Sequence, residues 1–389
     1  MVYSPQQFGA LASDIRYNLA LDYTHVRLGC SIRICYQLAA MGRHHNIRAS
    51  ANKTALSAAA GRSNHYRDIT ELFKVLEIDK RTKSPCVNED TVIAIDLGSN
   101  SFHLLEARLG AAGLETVAVH AQKVQLGLGM TDALLPAAIA RGLDCLQDFA
   151  RYTRGNSPAR VKVVGTHALR QAVNRQEFIG PATEILQQPI DIISGEEEAS
   201  LVYLGVKPGL PVQQSTLVVD IGGGSTELVT GLGGVIKTVA TVPAGCVSYL
   251  RFFPDGRIDP STLTAAETAA RAELTPVASQ FAGGWKQAVG CSGTLLAVAG
   301  VLCRLGLAEQ GQISRKALQD LRLAILQFGS IAELNFQGLN KNRRNIFAPG
   351  VAIVTALFDS FGIDNMQLSP SGLREGIAWH LLKQQGLAD

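Results

Sequence analysis

From Thr91 onward the chain alternates short apolar runs with Gly- and Ser-rich turns. TVIAIDL (91–97) is an apolar run with β-branched residues and a terminal Asp, and it predicts a strand. GSNS follows, then FHLLEARL, the turn GAAG and LETVAVHAQ, which reads as strand, tight turn, strand, turn, strand. The same order recurs from Ser215: STLVVDI, GGGS, TELVTGL, GG and VIKTVATV. Asp96 and Asp220 close the first strand of each copy, 124 residues apart. A repeat at that spacing predicts two similar α/β domains facing each other.

Three further segments switch from strand to helix. VKVVGTHALR (161–170) reads as a buried strand, a Gly-Thr turn and a helix start, with Arg170 on the first turn. In PIDIISGEEEA (189–199) a strand ends at Ser194-Gly195, and Glu196, Glu197 and Glu198 open a helix. Acidic residues there suit the positive end of a helix dipole whatever else they do. QAVGCSGTLLAVAGVL places Gly290, Ser292, Gly293 and Thr294 between a buried strand and an apolar helix.

Residues 1–90 differ. Their apolar positions show no sustained period, and SANKTALSAAAGRSNH reads as a linker. They hold 12 basic and 8 acidic residues, a net of +4, and four of the eight histidines, whereas the rest of the chain nets −1. The expectation is a poorly structured basic extension, either a solvated segment or an arm for an anionic partner. A third reading is that Val87 is the native start, because a GUG codon is written as Val inside a longer reading frame. Residues 1–86 would then be an upstream artefact.

Composition narrows the class. With 389 residues, 47% apolar and 18% charged, the chain has ample core for two or three domains and is neither fibrous nor largely disordered. A net charge of +3 is too balanced for a dedicated nucleic-acid-binding domain. No run approaches about 18 consecutive apolar residues, so no transmembrane helix and no membrane partner are expected. The start lacks the pattern of a secretory signal. Seven cysteines, an odd number without any CxxC pair, argue for reduced thiols in a cytoplasm rather than a disulfide framework or a zinc site.

The repeated turn points to phosphate. Gly98 and Gly222, Gly223 and Gly224 have no Cβ, so a ligand can come close to the backbone, whose successive N–H groups form a nest for an anion. Ser99, Asn100, Ser101, Ser225 and Thr226 add side-chain donors. An Asp at the end of each strand can hold a divalent cation directly or through water. Arg170 near a helix start, and the Ser292–Thr294 turn at another, suit anions as well. No Walker-type lysine loop, HExxH or G-x-S-x-G elbow occurs.

Together IAIDLGSNSFHLL, VGTHALRQA, ISGEEEASLVYLGV, LVVDIGGGSTELV, GCSGT, FAPGVAIVTALFD and LREG resemble the exopolyphosphatase/guanosine-pentaphosphate phosphohydrolase family, in its order and spacing, over residues 91–385. The resemblance implies an α/β fold of two ribonuclease-H-like (actin-like ATPase) domains facing each other across a cleft. We expect the first at 91–196 and the second at 197–389, the last helix packing back on the first. It implies that Glu198 is the base that activates water, with Glu197 its nearest rival, and that Asp220 and Glu227 hold Mg²⁺ and position water. It places Ser99, Asn100, Ser101, Arg170, Gly222, Gly223, Gly224 and Ser225 at phosphate oxygens. The implied substrate is inorganic polyphosphate or guanosine pentaphosphate, and the implied assembly a homodimer. NKNRRNIFAPG keeps Arg343 and Arg344 with altered flanks, and Pro370-Ser371 stand where Asp-Gly is frequent. Long relatives continue into an α-helical HD-type domain, so a chain stopping at Asp389 reads as a short, two-domain form. Two other readings stand beside it: an actin-like-superfamily kinase moving phosphate from ATP to a small acceptor, and a non-catalytic nucleotide sensor or assembly protein.

Overall fold

The computed structural model describes residues 91–157 and 159–387. The readings for residues 1–90 lie outside the described residues. The first sheet is built from β1 (Thr91–Leu97), β2 (Ser101–Gly110), β3 (Gly113–Lys123), β4 (Val161–Gly165) and β5 (Ile190–Ile192), in the order β3-β2-β1-β4-β5. The β1–β2–β3 run is antiparallel, whereas β4 and β5 are added parallel to β1. The second sheet contains β6 (Thr216–Ile221), β7 (Thr226–Leu232), β8 (Val235–Val242), β9 (Gln287–Gly290), β10 (Gln312–Ser314) and β11 (Asn365–Leu368). Its order is β10-β11-β9-β6-β7-β8. Leaving aside the edge strand β10, each sheet has its first three strands antiparallel and the fourth and fifth parallel to the first. This is the expected pair of ribonuclease-H-like halves.

The helices are α1 (Pro136–Thr153), α2 (His167–Gln171), α3 (Gln176–Leu186), α4 (Gly195–Val206), α5 (Pro260–Ala278), α6 (Gly293–Arg304), α7 (Arg315–Ile325), α8 (Arg344–Phe361) and α9 (Leu373–Gln384). Both faces of each central strand are covered, which is why β1 and β6 read as continuous apolar runs rather than alternating ones. The period of two still divides their side chains. Ile93, Ile95 and Leu97 pack with α1 and α3, against Leu146, Phe149 and Phe178. Val92 and Ala94 face the other way, into a cluster with Val202 of α4 and Ile377 and Leu381 of α9. Val218 and Val229 of the second sheet join that cluster. Leu217, Val219 and Ile221 point into a third cluster under α5, α6, α7 and α8.

The middle layer, α4 and α9, therefore joins the halves. The helices meet backbone to backbone: a Cβ on Gly205 would overlap the Gly372 carbonyl, and one on Gly376 would overlap the Leu201 carbonyl. The last helix thus packs on the first sheet, and the division expected at 196/197 falls in the first turn of α4. A second tie is Lys123 Nζ at the end of β3, which donates to Asn345 Oδ1 at the start of α8 at 2.8 Å. Among the described residues, no helix is long and apolar enough to cross a membrane.

Candidate active site between the halves

A cavity of about 450 Å³ opens between the sheets, lined by both repeated turns. The first turn contributes Gly98, Ser99, Asn100 and Ser101, the second Gly222, Gly223, Gly224 and Ser225. Both turns are held alike. Ser99 and Asn100 carbonyls accept from the amides of Gly127, Val124 and Gln125, just after β3. Gly222 and Gly223 carbonyls accept from Cys246, Val247 and Ser248, just after β8. The carbonyl side of each turn is thereby occupied by protein, while the same residues face the cavity. The turns nearly touch: a Cβ on Gly223 would lie 2.9 Å from the Asn100 amide nitrogen, and one on Gly224 would run into the His167 ring. Only glycine allows that approach.

Strand pairing sets the carboxylates. Asp96 pairs with His103 across β1 and β2, and Asp220 pairs with Glu227 across β6 and β7. Asp96, His103 and Asp220 line the cavity, and Glu227 is buried beside Asp220 without lining it. Glu198 arrives from the first turn of α4. Ser194 caps that helix, its Oγ accepting from the Glu197 amide at 3.1 Å, and its carbonyl accepts from the Glu198 amide. The helical phase then separates the adjacent acids: Glu198 is 7% exposed on the cavity wall, and Glu197 faces solvent outside it. That phase was readable in the sequence, because Glu198 shares a face with Leu201, Val202 and Gly205.

Arg170 lies elsewhere than expected. It is the fourth residue of the five-residue α2 and does not line the cavity. Its Nη1 donates to the Ile193 carbonyl at 2.8 Å and to Glu198 Oε2 at 3.1 Å. The guanidinium grips the acid instead of the cavity. Two other arginines line the cavity. Arg343 packs its guanidinium over Gly293, and Arg374 lies beside Glu375 at 2.7 Å. The turn Ser292, Gly293, Thr294 also lines it, with Ser292 capping α6 by accepting from the Leu295 amide at 3.1 Å.

Burial governs the electrostatics. It pushes Glu198 up to about 7, against the charge and hydrogen bond of Arg170 and with added repulsion from Asp220. Burial likewise raises Asp220 to about 6, opposed by Arg343. Asp96 and Glu227 are held well above the usual carboxylate range, by burial first and then by neighbouring carboxylates. His103 and His167 are each driven down to about 4, by burial first and then by arginines, so both imidazoles are neutral at pH 7. The cavity thus gathers acids poised near neutrality, two arginines and two glycine turns, the parts that phosphoryl transfer to water requires.

Similarity to known proteins agrees. An exopolyphosphatase from Cytophaga hutchinsonii superposes with a TM-score of 0.68 at 23% identity, covering 77% of this chain and all of the other. An exopolyphosphatase-like protein gives 0.65 at 25%, covering 77% of this chain and 99% of its own. The PPX-GPPA enzyme of Aquifex aeolicus gives 0.61 at 24%, covering 74% and 98%. These likenesses establish the fold. The sequence profile of the Ppx/GppA phosphatase family matches residues 107–385, which include Glu198, both arginines and the whole second turn, and the chain therefore belongs to that family.

Proposed function

We propose that the chain, a phosphohydrolase by family, releases terminal phosphate from inorganic polyphosphate or guanosine pentaphosphate, with Glu198 as the base. The observation that carries this is the placing of Glu198: buried on the wall of the cavity that both glycine turns line, fixed by Arg170, with its carboxyl near 7. A general base works best when its pKa lies near the operating pH. Glu198 takes a proton from water as the water oxygen bonds to the terminal phosphorus. The phosphoanhydride P–O bond breaks, and its electron pair leaves with the shortened chain. The amides of the two glycine turns and the guanidinium groups of Arg343 and Arg374 bind the phosphoryl oxygens and orient the chain for in-line attack.

The donor set suits Mg²⁺, since the acids here are all hard oxygen donors. Asp96 Oδ1 is buried with no hydrogen-bond partner among the described residues, an atom a cation or its water would satisfy. Asp220 and Asp96 would hold the ion from the cavity wall, with Glu227 beside Asp220. No three His, Cys, Asp or Glu side chains among the described residues form a ready cage. Such an ion would therefore keep water and substrate oxygens in its shell, as Mg²⁺ commonly does. When bound, it would neutralise charge on the phosphoryl oxygens. The reading includes a homodimer, and a reducing cytoplasm in which the thiols of Cys145, Cys246, Cys291 and Cys303 stay free.

The test is phosphate release from polyphosphate and from guanosine pentaphosphate at matched concentrations, with and without Mg²⁺, and with water the sole acceptor. Mg²⁺-dependent release from either supports the reading. Transfer only to an added small acceptor would sink it in favour of a kinase.

A further inference from the structure

The two hairpins superpose in sequence with a shift of 124 residues: Asp96 falls on Asp220, Gly98 on Gly222, Ser101 on Ser225 and His103 on Glu227. The pairing obeys the same shift, Asp96 opposite His103 and Asp220 opposite Glu227. The site is therefore built twice, with an acid at the second position of one copy and an imidazole at that of the other. Their cross-strand neighbours on the third strand differ. Glu227 has Thr241 across from it on β8, and the Thr241 hydroxyl donates to Glu227 Oε1 at 3.2 Å. The residue across from His103 on β3 is Ala121, which has no polar side-chain atom to offer. His103 Nδ1 is accordingly buried with no hydrogen-bond partner among the described residues, in a side chain that lines the cavity. A buried polar atom left unpaired is costly, and native structures rarely tolerate one that nothing ever satisfies.

We propose that His103 is a substrate-contacting residue, its imidazole hydrogen-bonding a phosphoryl oxygen of the polyanion in the cavity. An imidazole offers an N–H donor in either protonation state, which suits a phosphoryl oxygen. This assignment rests on the phosphohydrolase reading above.

The experiment compares wild type, His103→Ala and His103→Gln in three measurements. These are steady-state phosphate release from polyphosphate, thermal melting, and the ¹⁵N resonances of the histidine rings during titration with inorganic tripolyphosphate. The expected result is a fall in kcat/KM of about 10- to 100-fold for His103→Ala, the scale of a hydrogen bond to a charged group. Its melting temperature should be unchanged or raised, because a buried unpaired nitrogen has been removed. His103→Gln, which keeps an N–H donor, should recover part of the rate, and the His103 ring resonances should move on adding tripolyphosphate. An active wild type with His103→Ala within twofold of it overturns the proposal. So do ring resonances that stay still while an active enzyme binds tripolyphosphate. A rate loss that His103→Gln does not relieve, accompanied by a lower melting temperature, assigns His103 to packing and also overturns it. A wild type that releases no phosphate at all removes the phosphohydrolase reading itself, and this assignment with it.

Discussion

Glu198 and Arg170 form a unit whose members make separable contributions. Glu198→Gln keeps the shape and loses the proton acceptor, so kcat should fall by about 10²–10⁴-fold with the melting temperature held. If Glu198 were only a partner for the dipole of α4, kcat would be normal and stability would drop by a few tenths to about 1 kcal/mol. Measuring kcat and melting together decides between them. Arg170 makes a different demand. It lowers the pKa of a carboxyl that burial raises to about 7, so its removal should send that pKa higher still. A base works only when deprotonated, and the acid limb of the rate profile in Arg170→Met should therefore move to higher pH, with the loss at pH 7 larger than at pH 9. A phosphate-gripping Arg170 would instead raise KM at every pH. Residue type and spacing singled out the glycine turns, whose signal is local, whereas Glu198 was set apart from its neighbours only by the family resemblance. Type and spacing could not direct Arg170 toward Glu198, nor bring in Arg343 and Arg374, which reach the cavity from segments far along the chain.

At the scale of elements, sequence and structure agree best where a strand is bounded by glycine. The runs TELVTGL and VIKTVATV became β7 and β8 without adjustment at either end. Such boundaries are set by backbone chemistry within a few residues. The α4–α9 contact was harder to foresee, since nothing near Gly205 or Gly376 in sequence announces a helix partner. Its geometry nonetheless makes a sharp prediction. Gly376→Ala would put a methyl where the Leu201 carbonyl lies, and backbone cannot yield as a flexible side chain does. Overpacking of this kind typically costs about 1–3 kcal/mol. The helical propensity of alanine would favour the substitution by about 1 kcal/mol in an open helix. A denaturant melt should therefore show a net loss of stability, and a stabilised Gly376→Ala protein would mean that the helices lie farther apart.

For the whole molecule, the buried acids tie stability to pH. Glu198 near 7, Asp220 near 6, and Asp96 and Glu227 well above their usual range all bind protons more readily folded than unfolded. Between pH 8 and 6 the folded state therefore gains protons that the unfolded chain does not, and stability rises as pH falls. Below about 6.5 the sign turns for His103 and His167, which the folded state keeps neutral down to about 4 while the unfolded chain charges them. The metal-free protein should thus melt higher at pH 6 than at pH 8. Mg²⁺ should raise the melting temperature more at pH 8, where it does not compete with protons for the carboxylates. Equal melting at both pH values without Mg²⁺ would contradict the buried cluster. The order in which the chain is made adds a different consequence. Val92, Ala94, Leu105 and Ala107 are synthesised early, but the residues that cover them, Ile377, Ala378, Leu381 and Leu382, are translated last. On the ribosome the inner face of the first sheet waits uncovered through nearly the whole remaining synthesis, an apolar surface open to chaperones and to aggregation. Any transcript or nascent chain cut short before Leu373 would leave that surface bare in a protein that already carries Asp96, Glu198, Asp220 and Glu227.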